Sequence, residues 1–140
     1  MDTVSPAKRS SVMAQVKGRD TRPERVVRSL LFRYGFRFRL HRADLPGTPD
    51  IVLPRYKTVV FVHGCFWHRH PGCKRASMPA SNVAYWEQKF ARTVARDAAN
   101  QAALERLGWR VVIVWECALR TFEHDFDAMA ALIRRPDDSE

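Results

Sequence analysis

Cysteine is scarce in this chain of 140 residues: there are three, an odd number that cannot all pair with one another. In a reducing compartment they stay thiols, so metal ligation comes ahead of disulfide bonding. Acidic residues are few as well. Lys and Arg number 24 against 15 Asp and Glu, a net charge of +9, and Arg, which supplies most of the cations, can grip phosphate through two parallel hydrogen bonds. That imbalance makes nucleic acid the leading partner, with a merely solubilising surface as the alternative. No stretch reaches the roughly 18 consecutive apolar residues of a membrane helix, and the first residues, Met1 to Arg9, lack the apolar core of a secretory signal. A cytosolic protein with no membrane partner is expected. Repeats, low-complexity tracts and Pro/Gly/Ser linkers are missing too. One continuous domain over 1–140 is therefore expected, with an acidic tail over about 136–140 that frays.

What is present reads as alternating helices and strands. Ser5-Pro6 opens a helix to about Lys17, stopped by Gly18. Thr21 and Glu24 fit a capping box for a second helix, whose Val26, Val27, Leu30, Leu31 and Tyr34 make an apolar face before Gly35. Phe36 to Leu40 alternates as a half-buried strand should, Leu45 to Pro49 is turn chemistry, and a strand runs from Asp50 to Leu53. After a tight connection at 54–57, Thr58 to Val62 is β-branched and nearly all apolar, which predicts a central strand covered on both faces and paired with its predecessor as a hairpin. From His63 to Pro79 no period holds, yet the segment carries three of the five His and two of the three Cys. It reads as a functional loop. Ser81 can cap a long helix to Leu107, stopped by Gly108, and Trp109 to Trp115 is the last strand. Strand, helix, strand in that order implies a right-handed parallel crossover. A final helix over about 125–134 packs Phe126, Met129, Leu132 and Ile133. The fold class is α/β: a mixed sheet flanked by helices.

Cys65, His70 and Cys73 stand at C-x4-H-x2-C, and Cys117 falls just after the last strand. Thiolate and imidazole are the donors tetrahedral Zn²⁺ prefers, and a closed set of three Cys and one His is structural because no position is left for water. A parallel crossover brings Cys117 to the sheet edge that carries Cys65 and Cys73. Cysteines as small buried hydrophobes are the bland alternative, and His68, at C-x2-H, competes with His70 as the ligand. Asp50, directly after Pro49, lies across the expected hairpin from Val62 and His63. This is the layout of the PD-(D/E)xK nucleases, although their acid-x-Lys is missing here. Taken alone, Pro-Asp is most often turn chemistry. An imidazole, with its pKa near ~6.5, can nevertheless take the proton from water that the Lys would handle.

The string His63-Gly64-Cys65-Phe66-Trp67-His68 resembles the Vsr family of very-short-patch-repair DNA mismatch endonucleases. Pro49-Asp50 before it and Gly108-Trp109-Arg110 through Trp115-Glu116-Cys117 to Arg120 after it extend the likeness from about Ser10 to Arg120, and Arg19-Asp20-Thr21 and Glu24 also fit. The resemblance implies a restriction-endonuclease-like fold with structural Zn²⁺ and catalytic Mg²⁺. It implies nicking of double-stranded DNA 5′ to the T of a T·G mismatch, the lesion left by deamination of 5-methylcytosine, as the first step of very short patch repair. Carried onto this chain, Asp50 ligates Mg²⁺ with the backbone carbonyl of Val62, His68 is the base, His63 meets the scissile phosphate region, and Glu24 is an acid near the site. Glu24 has the capping box as its structural alternative, and both can hold. The zinc ligands fall on Cys65, His70, Cys73 and Cys117, which frees His68 for catalysis. Pro71-Gly72 stands where some members have a single residue, so a differently shaped zinc loop is expected.

The same resemblance makes Phe66, Trp67 and Trp86 a wedge entering the base stack from the major groove. Met13 and Val16, on a DNA-contacting helix over about 1–18, would approach from the minor groove. Periodicity alone would put Trp86, Met13 and Val16 in a core. Lys89, Arg92 and Arg96, at i, i+3 and i+7, either track phosphate or form a solvated face. A monomer in the bacterial cytoplasm, associated with the nucleoid, is implied, with mismatch-repair proteins as candidate partners. The alternatives are another nuclease of the PD-(D/E)xK type and a zinc-stapled DNA-binding module without catalysis.

Overall fold

The computed structural model describes residues 20–135. The expected helix over Ser5 to Lys17, with Met13 and Val16, and the tail over 136–140 lie outside them. The first described helix, α1 (Arg22–Arg33), starts where its cap chemistry places it: the Thr21 hydroxyl accepts from the Glu24 N–H at 3.4 Å. The Glu24 carboxylate reaches back one residue further than a standard capping box, to the Asp20 N–H at 3.2 Å. Val27, Leu30 and Leu31 are buried. Gly35, at φ 88°, allows the left-handed turn that lets the Phe36 N–H close onto the Leu31 carbonyl at 3.0 Å.

That closure corrects the strand expected over Phe36 to Leu40. Only Arg39–Leu40 pairs, as β1, because the amide of Phe36 is already spent on the helix end. Phe36 is buried and Phe38 packs against the core, so the alternation reports burial without a ladder. β2 (Ile51–Leu53) and β3 (Thr58–His63) form the expected antiparallel hairpin, with Ile51 opposite Val60 and Leu53 opposite Thr58. A short 3-10 turn (Pro54–Tyr56) and Lys57 at φ 50° make the connection.

α2 (Val83–Arg106) crosses over to β4 (Arg110–Trp115), which runs parallel to β3 from Thr58 opposite Arg110 to His63 opposite Trp115. The sheet order is β1-β2-β3-β4. Ser81 is not the cap of α2: Asn82 holds that place in the left-handed region at φ 55°, with no side-chain cap bond. Asn tolerates that conformation better than most residues, so the turn chemistry overrides the hydroxyl cap. The helix expected over about 125–134 is present as Asp127–Arg134, but no sign in the sequence marked the shorter one before it: after a 3-10 turn (Glu116–Ala118), α3 (Leu119–His124) comes first and α4 (Asp127–Arg134) follows. Between the two helices the Asp125 carboxylate accepts from the Asp127 N–H at 3.0 Å.

Strand alternation sorts the core into two layers. Ile51, Leu53, Val60, Val112 and Val114 pack with α1, α3 and α4 on one face. Val52, Val59 and Phe61 pack with Leu104 and Trp109 under α2 on the other. Carried along the pleat, this parity puts His63 on the α2 side with Phe61, and Asp50 there with Val52.

Candidate active site and cysteine cluster

Two centres grow from one sheet edge. Cys65 follows β3 by two residues and Cys117 follows β4 by two, so the pairing of His63 with Trp115 delivers both thiols to the same place. His70 stacks on Trp115, ring centroids 4.2 Å apart, with Nδ1 3.3 Å from the Cys117 Sγ. Cys73 returns through a turn in which its N–H bonds to the His70 carbonyl at 3.3 Å and Gly72 sits at φ 70°. One donor atom from each of Cys65, His70, Cys73 and Cys117 lies within 4.8 Å of the others. Burial pushes the Cys65 thiol up to about 12, whereas backbone N–H donation from Arg75 lowers Cys73. Three sulfurs and an imidazole nitrogen, converging to within 4.8 Å, fit a soft cation that favours thiolate, and a cation bound there would offset the burial that holds the proton on Cys65.

His68 is not part of that cluster. Its Nδ1 lies 2.7 Å from Asp97 Oδ2 on α2, and its ring stacks flat on His63, 3.7 Å between centroids and 4° between planes. The choice between His68 and His70 left open by spacing is thus made by the direction each ring takes. His63 is buried, and burial together with the neighbouring His68 lowers its pKa to about 4, so it is neutral near pH 7. Both rings line a cleft of about 720 Å³.

Asp50 and Glu24 stand on the same cleft. The Asp50 Oδ2 accepts from the Val62 N–H at 2.7 Å, which ties the backbone of Val62 to the carboxylate. Burial raises the Asp50 pKa to about 6; the Val62 bond opposes the shift and the charge of Glu24 adds to it. Glu24 is buried among partners: Arg28 at 2.9 Å, His41 Nε2 at 3.0 Å and the Asp20 N–H at 3.2 Å. It is both a cap residue and a charge at the site. Gly47 (φ 76°) seats the turn before Asp50 against α2, since a Cβ there would come within 2.9 Å of the Asn100 side chain.

Phe66 and Trp67 reach the cleft wall and meet edge to face at 5.1 Å. Trp86 lies 5.9 Å from Phe66 and 5.5 Å from Phe90. It is half-buried, packed on Phe66 and Phe90 with part of the indole left at the surface. The cationic stripe divides: Arg96 lines the cleft, whereas Lys89 and Arg92 lie outside its lining. Sequence reasoning missed Asp97, His41, Arg28, Asn100 and Glu116, whose Oε1 accepts from the Cys65 N–H at 3.0 Å. A signal existed for α2. Thr93, Arg96, Asp97, Asn100 and Gln101 recur at helical spacing and all face the cleft.

A half-buried carboxylate at the head of a hairpin, a His–Asp pair across the cleft and a strongly basic chain are the parts a DNA-cutting hydrolase needs, and comparison with known proteins gives that class. The family model described as "DNA mismatch endonuclease Vsr" matches residues 1–75. A type II nicking enzyme, V.XorIIP of Xanthomonas oryzae pv. oryzae, is 51% identical over 133 residues, covering 95% of this chain and 94% of the relative. DNA mismatch endonuclease Vsr of Escherichia coli is 45% identical over 119 residues, 85% of this chain and 76% of the relative. The type II nicking enzyme V.NmeAIP of Neisseria meningitidis is 44% identical over 119 residues, 85% and 84%. The chain belongs to the Vsr family of DNA mismatch endonucleases. No helix among the described residues is long and apolar enough to cross a membrane.

Proposed function

We propose that this endonuclease nicks one strand of duplex DNA 5′ to the T of a T·G mismatch, opening very short patch repair in the bacterial cytoplasm as a monomer. The observation that carries the reading is the meeting, in one cleft, of the Asp50 carboxylate, the His68–Asp97 pair and the Phe66–Trp67 aromatics. Asp97 accepts at Nδ1 of His68, which leaves Nε2 of that ring to take a proton from water, and its charge stabilises the imidazolium that results. Neutral His63, stacked on His68, presents a ring nitrogen toward the phosphate without repelling the base. Asp50 and the Val62 carbonyl would hold Mg²⁺, which when bound neutralises charge on the phosphate. Glu24 is shielded by Arg28 and His41, so its own charge is compatible with an approaching polyanion. Phe66, Trp67 and Trp86 supply apolar surface for a base step that is already weakly paired, where unstacking costs least.

Cys65, His70, Cys73 and Cys117 would hold Zn²⁺ and so clamp the loop after β3 to the end of β4. Metal analysis of chain purified without added zinc should find about one equivalent, as four closed ligands require. The function itself is tested by end-labelled duplexes carrying T·G in every flanking context, with matched duplexes beside them, in Mg²⁺. Strand-specific cuts 5′ to T in one context support the reading. Equal cutting of matched DNA favours a general nuclease, and T·G binding with no cutting favours a binding module.

A further inference from the structure

The four cluster residues fix the loop after β3 at positions 65, 70 and 73 and leave 66–69 to bulge between them. Phe66 and Trp67 lie in that bulge, and a side chain pushed into a base stack is pushed back. Inside the turn the His68 N–H bonds to the Gly64 carbonyl at 3.1 Å and the His70 N–H to the Cys65 carbonyl at 3.0 Å, but neither bond ties it to the segment beyond Cys73 or to α2. Arg69 does, from inside: its Nη1 donates to the Phe66 carbonyl at 3.1 Å and the Ser77 carbonyl at 3.0 Å, and its Nη2 to the Ala76 carbonyl at 2.8 Å. The guanidinium also lies over the Phe90 ring of α2, 3.9 Å from its centroid, and 5.5 Å from that of Phe66. Arg69 itself sits in the left-handed region at φ 55°, a conformation that costs a non-glycine residue energy and persists only where its surroundings enforce it. One planar cation thus joins the start of the loop, its far end and the long helix.

The geometry points to Arg69 as a positioning residue that pre-organises the Phe66–Trp67 wedge and thereby sets selectivity for weakly paired DNA. The inference rests on the reading of Phe66 and Trp67 as a wedge. The planar fork is essential, because three carbonyls in different directions and an aromatic face cannot be met together by the point charge of a lysine. Pre-organisation matters to selectivity because a loose wedge must be ordered at the moment of insertion, a cost that falls only on the unstacked complex.

The test uses Arg69→Lys, Arg69→Met and Trp67→Ala in the zinc-loaded full chain. Binding is measured to a T·G duplex and to its matched counterpart, each with 2-aminopurine beside the mismatch position as a reporter of unstacking. Both Arg69 variants should keep zinc content and matched-duplex affinity. They should lose about tenfold in T·G preference, the scale of one lost hydrogen bond to a charged group, together with part of the 2-aminopurine brightening at saturation. Retention of full preference and brightening by Arg69→Met, while Trp67→Ala loses both, overturns the role of Arg69 and leaves the wedge standing. Loss of zinc and of matched-duplex binding in both Arg69 variants overturns it too, since Arg69 is then a fold residue. Full preference in Trp67→Ala removes the wedge itself.

Discussion

The two faces of the sheet are built to different rules. Beneath α1, α3 and α4 the layer is dry, with Ile51, Leu53, Val60, Val112 and Val114 meeting Leu31, Phe126 and Ile133. Beneath α2 the apolar layer is smaller, and it gives way along the same strands to Asp50, His63 and the cleft. α2 itself is 24 residues long, and the buried ones are Phe90 and Leu104. The dry face holds strand positions still, and the other face uses them. Substitutions on the first should therefore be felt as stability, and on the second as activity, with stability unchanged or even raised.

The largest expected effects are on the working face. Asp50→Ala should abolish nicking while T·G binding persists, because a carboxylate that repels DNA is removed along with the metal ligand. His68→Ala should lose about 10² to 10⁴ in rate, the range for a general base. Single-turnover nicking at saturating enzyme checks both, and near-native turnover by either variant breaks the assignment. Across the sheet, Leu31→Ala opens a cavity at a fully buried position and should cost about 2–5 kcal/mol in urea unfolding. Its nicking rate at low temperature should stay near native. If Leu31→Ala slows chemistry as much as it loosens the fold, the division of labour between the faces fails.

A smaller effect, of opposite sign, sharpens the contrast. Asp50 titrates at about 6 in the folded protein against 3.8 for an unburied carboxyl. Below pH 4 it is protonated whether folded or not and costs nothing. As pH rises through 6 the folded chain must hold a buried charge that the unfolded chain leaves in water, a loss of up to about 3 kcal/mol. Asp50→Asn, which keeps an acceptor for the Val62 N–H, should therefore stabilise the protein in Mg²⁺-free buffer. The gain should grow between pH 4 and 6 and level off above. A gain independent of pH would mean that the ionised carboxylate is not the source.

How far the sequence could be read follows the same division. The β2–β3 hairpin and the parallel β3–β4 pairing were legible because runs of β-branched residues on a dry face leave few alternatives. The cysteine cluster was legible because two residues past each of two parallel strands is a fixed place. Asp97 was not. A lone carboxylate on a polar helix looks solvated until its partner arrives from a loop that has no period of its own. Phe36 to Leu40 misled for a related reason: burial alternates there, but the helix end takes the first amide. Ser81 misled because a left-handed Asn82 starts α2 without a hydroxyl. Side-chain patterns report what is buried; they are poor guides to which backbone groups are already engaged.

The smallest expected effect concerns the outer edge of the working face. Lys89, Arg92 and Arg96 share one helical stripe, yet only Arg96 lines the cleft, and Arg92 and Arg96 are both exposed. A cation that touches a phosphate releases a counterion, so removing one such contact flattens the plot of log affinity against log salt by about one unit. If the DNA backbone enters through the cleft, Arg96→Ala should show that flattening on T·G and matched duplex alike, because phosphate contacts carry no sequence information. Arg92→Ala should leave the slope nearly unchanged. Equal flattening by both variants would mean that the backbone runs along the whole stripe. The DNA would then lie over the outer surface of α2, and the boundary between the working face and the solvated one would fall a full helical turn further out than the cleft wall.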